Sequence, residues 1–259
     1  MKKPIDVKKA ALDAAVLLAG FVFAAPVAAT FAMSFVYGGK IGMTQYYELM
    51  ITNYTFLRYF WNSLFYACVI TVCTVALSLP LGFIFSKVSI PGRDIIFFVF
   101  IIVMMLPFHS TLLPIYIQLD SFGLLNTRAA LVLSFVFAPY AVFLFRQFAK
   151  SIPDNFIDIA LMDTSSPLKI YVAVIIPHMR SAVAALAVIT FCESWNMVEQ
   201  VIFFAAKNNP IHPLSAEIAN LPEGVGFSAA AVYMLPALLL FFIFKEAIAS
   251  SMERFRWHG

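Results

Sequence analysis

Residues 59–86 read YFWNSLFYACVITVCTVALSLPLGFIFS, 28 positions without a single Asp, Glu, Lys or Arg. A helix needs roughly 20 apolar residues to cross the hydrocarbon core of a bilayer. Inside lipid every backbone N–H and C=O must find a partner within the protein, so a run this long is a helix and not a loop. The rest of the chain agrees with that reading. Of 259 residues, 62% are hydrophobic and only 12% charged, against about 45–50% and about 25% in soluble domains. A soluble enzyme, a disordered chain and a nucleic-acid binder are thereby excluded. The formal charge of +3 is too small to call for a polyanionic partner.

Five further stretches have the length and apolarity of a span: 14–37, 95–119, 129–145, 181–206 and 224–244. The expected fold is an all-α membrane protein with six transmembrane helices, forming a single domain over 1–259. Barrel strands would instead alternate over short segments. The Met-Lys-Lys start resembles the basic region of a signal peptide. The apolar stretch behind it is longer than the 7–15 residues of a secretory core, so an uncleaved first span is expected. The three cysteines, Cys68, Cys73 and Cys192, all lie in apolar runs and read as small buried hydrophobes. No metal site and no cofactor is expected in this chain.

Basic residues concentrate on the cytoplasmic side of membrane proteins. With the N-terminus inside and six crossings, 13 Lys and Arg fall inside and four outside (Lys40, Arg58, Arg128 and Lys207). Both termini are therefore expected to be cytoplasmic, in a cell or inner membrane.

The longest polar stretch, 146–180, then faces inward. Ser151 is expected to cap a helix with Pro153 in its first turn, and Phe156, Ile159 and Ala160 recur at helical spacing. The run Asp163-Thr164-Ser165-Ser166-Pro167 should break it. Ser166 as N-cap and Pro167 at the first position start a second helix reaching about Ile176, ended by Pro177. The result is a helix–turn–helix at the membrane surface. Its apolar residues, Phe156 and Ile157 among them, need cover, which favours a docking surface over a solvated connector.

Here the sequence resembles a known family. Asp158-Ile159-Ala160, Asp163-Thr164-Ser165 and Ile175-Ile176-Pro177 are similar to the cytoplasmic "EAA" loop of ABC importer permeases. Asn62-Ser63-Leu64, Pro91-Gly92-Arg93, Met105-Leu106-Pro107 and Leu113-Pro114-Ile115-Tyr116 agree in order and spacing. So do Gly123-Leu124-Leu125-Asn126-Thr127, Phe145-Arg146-Gln147-Phe148 and Ser194-Trp195-Asn196. Together they resemble the carbohydrate-uptake branch, in particular the smaller permease of maltose-type transporters, over about residues 60–250.

The resemblance implies one half of a heterodimeric pore, completed by a second homologous permease. It also implies two ATP-binding subunits carrying ATP and Mg, and an extracellular solute-binding protein. The ATPase-coupling residues it implies are Phe156, Ile157, Asp158, Ile159, Ala160, Asp163, Thr164, Ser165 and Pro177. The chain itself has no G-x-x-x-x-G-K-[ST] phosphate loop. Two positions depart from the family loop, Asp158 where it carries Glu and Thr164 where it carries Gly. Glycine permits a left-handed turn that a β-branched Thr resists, so the turn is expected to be strained or differently built.

Within the spans, a charged group reads as functional by default. Thr190, Glu193, Asn196 and Gln200 fall on one face of an ideal helix and form a polar stripe along the expected solute path. Glu193 suits acceptance of hydroxyl or amine donors, and a structural tie to a neighbouring helix explains it as well. Glu199 is expected to point away from the stripe, as an interface residue. His109 stands between Pro107 and Pro114, where an irregular segment can line a cavity, although a lone His is more often structural. Trp61 and Trp257 read as interface anchors; Trp195 suits packing more than stacking on a sugar. The alternatives to an ATP-driven sugar permease are a proton-coupled secondary transporter using Glu193 and an intramembrane enzyme using His109 and Glu193. The first would show inverted repeats and the second a further acid–base or metal partner; neither is evident.

Overall fold

The computed structural model describes residues 7–164, 166–207, 209–222 and 224–256. In chain order its elements are α1 (Val7–Met33), a hairpin of β1 (Val36–Tyr37) and β2 (Lys40–Ile41), α2 (Thr44–Tyr47) and α3 (Tyr54–Lys87). There follow α4 (Arg93–Met104), α5 (Phe108–Ser121), α6 (Arg128–Val136), α7 (Pro139–Lys150), α8 (Asp154–Asp163) and α9 (Pro167–Ile170). The last are α10 (Ile176–His178), α11 (Arg180–Trp195), α12 (Glu199–Phe204), α13 (Leu214–Glu217) and α14 (Gly226–Arg256). One wide helical turn, Glu48–Thr52, follows α2 and another, Tyr171–Ile175, joins α9 to α10.

Four helices or helix runs are long and apolar enough to cross a membrane: Leu12–Met33, Thr55–Lys87, Arg128–Lys150 and Gly226–Glu246. Two bent pairs raise the number to six. In the first, α4 and α5 meet at 102°; in the second, Pro167–His178 and α11 meet at 74°. The fold is thus helical with four to six candidate spans. The expected third span is broken at Met105-Leu106-Pro107, where Pro107 lacks an N–H and holds φ at −58°. The fourth runs on to Lys150 rather than stopping at Phe145, passing a break at Phe137-Ala138. The fifth breaks after Trp195, at Asn196-Met197-Val198.

The chain forms two compact units. The first comprises residues up to Leu57 together with Ile218–Leu235. Its hairpin turns on Gly38 and Gly39, with φ of +56° and +78°, the left-handed pair that a two-residue turn demands. Gln45 is buried and fully used: its amide donates to the Met33 and Val36 carbonyls and accepts from the Ser228 N–H. Ser34 adds a contact to the Tyr46 hydroxyl at 2.8 Å.

The second unit comprises Arg58–Glu217 and the residues from Pro236 onward. Its axis is α3. At one end, Asn62 Nδ2 donates to the carbonyls of Pro210 and His212, Tyr66 donates to that of Ile211, and the Leu214 N–H donates to Ser63. Asn126 takes a left-handed φ of +63°, and its side chain accepts from the Ala206 N–H. Its own N–H donates to the Phe204 carbonyl, so the 123–127 loop pins the end of α12.

At the other end of α3, Leu79 and Phe83 pack with Ala141 and Phe145 of α7, Ile175, Met179, and Ala182 and Leu186 of α11. Gly82 is what lets α3 and α7 approach there. A Cβ at that position would lie 2.5 Å from Phe145 Cβ and 2.9 Å from the Arg146 nitrogen. Gly92, with φ of +74°, starts α4. Arg146 is buried and donates to the Phe85 carbonyl and to Asp94, with its guanidinium 3.8 Å above the Phe97 ring.

All three cysteines are free, and Cys68 is exposed, contrary to the buried reading: it faces out from α3. Trp61 is exposed, as an anchor would be. Trp195 is buried, stacked on Phe191 and edge-on to Phe60. Ser165, Trp257, Lys2 and Lys3 lie outside the described residues.

Candidate functional site

The break between α4 and α5, the Phe137-Ala138 break and the interruption after Trp195 frame a cavity of about 720 Å³ in the second unit. Residues just before and after the Met105–Pro107 break form one wall, the Phe137–Tyr140 break another, and the end of α11 with the start of α12 the third. Broken helices at membrane depth are tolerated where they line a cavity, and that is where these breaks lie.

Thr190, Glu193, Asn196 and Gln200 all line the cavity. Tyr140, which the sequence reading passed over, organises them. Its hydroxyl donates to Glu193 Oε2 at 2.7 Å and lies 3.1 Å from Thr190 Oγ1. Since the phenolic proton goes to the carboxylate, Thr190 is the donor to Tyr140. The relay therefore runs Thr190 to Tyr140 to Glu193, with the carboxylate as final acceptor. Thr190 is buried, while Glu193 and Asn196 are exposed to the cavity. Asn196 Nδ2 is held by the Cys192 carbonyl at 2.7 Å. A polar residue in the apolar 129–145 stretch was the available signal for Tyr140.

Glu199 was expected to point away, and it does not. The helix breaks after Trp195, so the 100° step of an ideal helix no longer carries across, and Glu199 lines the same cavity. Its Oε1 lies 3.2 Å from His109 Nε2. His109 is itself not among the lining residues: its side chain is exposed and joins α5 to α12 through Glu199. Among the described residues, no group of three His, Cys, Asp or Glu is placed to hold a metal ion.

The second candidate region is α8 to α10. Ser151 does not cap α8. It ends α7, its hydroxyl donating to the Phe148 carbonyl. Pro153 occupies the cap position of α8 instead of its first turn. Lys87, at the end of α3, fixes this start by donating to the Ile152 carbonyl at 2.6 Å and to Asp154 Oδ1 at 2.5 Å. Ile157 packs inward on the Phe83–Phe145 cluster, and Phe156 touches the His178 ring with centroids 5.0 Å apart. Asp158 is exposed, Ala160 is half-buried, and Ile159 and Met162 are 62% and 87% exposed. An apolar face this open marks a docking surface more often than a solvated one.

The helix ends at Asp163, whose side chain lies outside the described residues. Thr164 is extended, with φ of −156° and ψ of 138°. That is an ordinary conformation for a β-branched residue, so the turn is differently built and unstrained. The Thr164 hydroxyl accepts from the Ser166 N–H at 3.2 Å. Ser166 and Pro167 open α9 as expected. Pro177 does not end the second helix: it sits at the start of α10, behind the wide turn Tyr171–Ile175. A wider turn gives the ring room and accommodates the missing donor. The bend itself falls at Met179, with φ of −96° and ψ of 7°.

Comparison with known proteins bears on both regions. The family model of the binding-protein-dependent transport system inner membrane component matches residues 78–254. The diacetylchitobiose uptake system permease protein NgcG of Streptomyces coelicolor is 28% identical over 209 residues, covering 76% of this chain and 68% of that one. The arabinooligosaccharides transport system permease protein AraQ of Bacillus subtilis is 28% identical over 213 residues, covering 77% and 76%. Among solved structures, a bacterial ABC transporter involved in the import of the acidic polysaccharide alginate superposes with a TM-score of 0.84. It is 18% identical and covers 96% of this chain and 99% of that chain, which is a likeness of fold.

Proposed function

The chain belongs to the family of binding-protein-dependent transport system inner membrane components, and from that premise we propose that it is one permease half of an ATP-driven importer of a sugar or oligosaccharide. It is a multi-pass inner-membrane transport subunit and not an enzyme. Six spans with both termini in the cytoplasm suit the 13-to-4 distribution of basic residues. A second homologous permease completes the pore, two separate subunits bind ATP and Mg, and an extracellular binding protein delivers the solute. The sugar assignment is supported by the solutes named for the relatives, diacetylchitobiose and arabinooligosaccharides. A proton-coupled role for Glu193 has no support in a family that depends on a binding protein.

In this reading α8 to α10 is the strut that receives the ATPase stroke. The observation that carries it is the combination of an uncovered apolar face, Phe156, Ile159 and Met162, with an inner face welded to the spans. Ile157 joins the core cluster and Lys87 clamps Asp154. A force applied to α8 then reaches α3, α7 and α11 through packed side chains. The solute path runs past Thr190, Glu193, Asn196 and Gln200, with Glu199, joined to His109, at its rim. Replacing Phe156→Asp or Asp158→Lys is expected to leave membrane insertion intact and abolish co-purification of the ATP-binding subunits. Normal co-purification in both variants overturns the strut assignment.

A further inference from the structure

Resting on that sugar-path reading, we infer that the cavity is a charge filter: it accepts saccharides that are uncharged or carry an amino group, and rejects those carrying a carboxylate or phosphate. The electrostatics of the lining are one-sided. Glu193 and Glu199 both line it, and among the described residues no Lys or Arg does. The imidazole of His109 is engaged with Glu199 at 3.2 Å, which leaves Glu193 without a cationic partner among the described residues.

The hydrogen bonds around Glu193 fix its role. The relay from Thr190 through Tyr140 ends on its Oε2. Oε1 has no partner among the described residues and is open to a donor from the solute. Hydroxyl and ammonium groups are donors; a uronate or a phosphate monoester offers only acceptors and negative charge at that point. The apolar walls, including Phe108, Phe135 and Phe137, lower the local dielectric, so repulsion between two anions is much stronger there than in water.

A second observation points independently to a polar ligand. Gln200 is only 6% exposed and lines the cavity. Its side-chain amide has no hydrogen-bond partner among the described residues. The amide is open to the cavity rather than sealed in the core, and the cavity is where a partner comes from. A saccharide hydroxyl, donor and acceptor at once, satisfies Gln200 while a neighbouring hydroxyl or amine donates to Glu193.

The test uses the membrane complex in nanodiscs, this chain with its partner permease and ATP-binding subunits, without the binding protein, so that the saccharide meets the cavity directly. Three disaccharides serve as probes: neutral di-N-acetylglucosamine, its de-N-acetylated diamine, and a dimer of uronic acid. Binding is measured directly, for the wild-type complex and for Glu193→Gln, with assembly of each complex checked by its elution volume. The uronate dimer is expected to bind at least about tenfold more weakly than the other two, a difference of about 1.4 kcal/mol. Glu193→Gln, of equal size, is expected to narrow the uronate-to-neutral ratio by a similar factor. Equal binding of the uronate by the wild type, or a ratio unmoved by Glu193→Gln, overturns the filter and leaves the sugar path standing. Binding of none of the three overturns the sugar path and the filter with it.

Discussion

Tyr140 carries two tasks with one hydroxyl: it accepts from Thr190 and donates to Glu193. Removing that hydroxyl leaves a carboxylate in a largely apolar cavity with one bond fewer. Hydrogen bonds to charged groups contribute about 1.5–3 kcal/mol. Tyr140→Phe is therefore expected to lower the transport rate by about tenfold or more, with the complex still assembled. Uptake of labelled solute in proteoliposomes checks this, and an unchanged rate would remove Tyr140 from the path. At Gly82 the argument is steric. With 2.5 Å between an added Cβ and Phe145 Cβ, α3 and α7 must separate to admit any side chain. Overpacking costs typically 1–3 kcal/mol. Gly82→Val is expected to lower the unfolding temperature in detergent by several degrees, whereas Gly20→Val, with nothing within 4 Å of its added Cβ, is expected to leave it in place. Close approach through a small residue is the usual route to tight helix packing in membranes.

Among the elements, α8 shows what a linear reading catches and what it misses. Its existence, its exposed apolar face and the Ser166-Pro167 start of α9 were all legible, because capping preferences and helical periodicity are local. The ends were not. Ser151 closes the helix before instead of opening the one after: an N-cap hydroxyl accepts from a backbone N–H, whereas this one donates to the Phe148 carbonyl, and the residue type serves either role. The extended backbone at Thr164 was one of two outcomes the sequence allowed, and only the fold chooses between them. Since Thr164 is unstrained there, restoring the family glycine by Thr164→Gly is expected to destabilise the loop by about 0.5–1 kcal/mol. Faster limited proteolysis between α8 and α9 would register it, and slower proteolysis would refute it. The clamp at Lys87 is asymmetric: its side chain is nearly buried, while that of Asp154 is 79% exposed. Lys87 also holds the Ile152 carbonyl. Lys87→Met is therefore expected to impair solute-stimulated ATP hydrolysis several-fold more than Asp154→Asn, since an exposed ion pair alone contributes about 0–1 kcal/mol. Equal effects would mean that the ion pair, and not the buried carbonyl bond, fixes α8.

For the whole molecule, the spans were readable because lipid imposes length and apolarity on every crossing, and residues 59–86 state both without interruption. The bends were half-readable. Pro107 announces the 102° break between α4 and α5, but Asn196-Met197-Val198 contains neither Pro nor Gly, and the break there follows from tertiary bonds. Ser215 donates to the Met197 carbonyl, and Met197 packs into the cluster with Val201 and Phe204. Extrapolating an ideal helix across that point is what misplaced Glu199. The cavity exists because the breaks at Met105–Pro107, Phe137-Ala138 and Asn196–Val198 meet, a coincidence no single segment encodes. The central claim is that this chain works as one permease of a binding-protein-dependent, ATP-driven importer. Its most direct test is a mild-detergent pull-down of the tagged chain from native membranes, with mass spectrometry of what accompanies it. The account predicts an ATP-binding subunit together with a second, homologous permease. A chain recovered alone that moves solute across liposomes without ATP would contradict it.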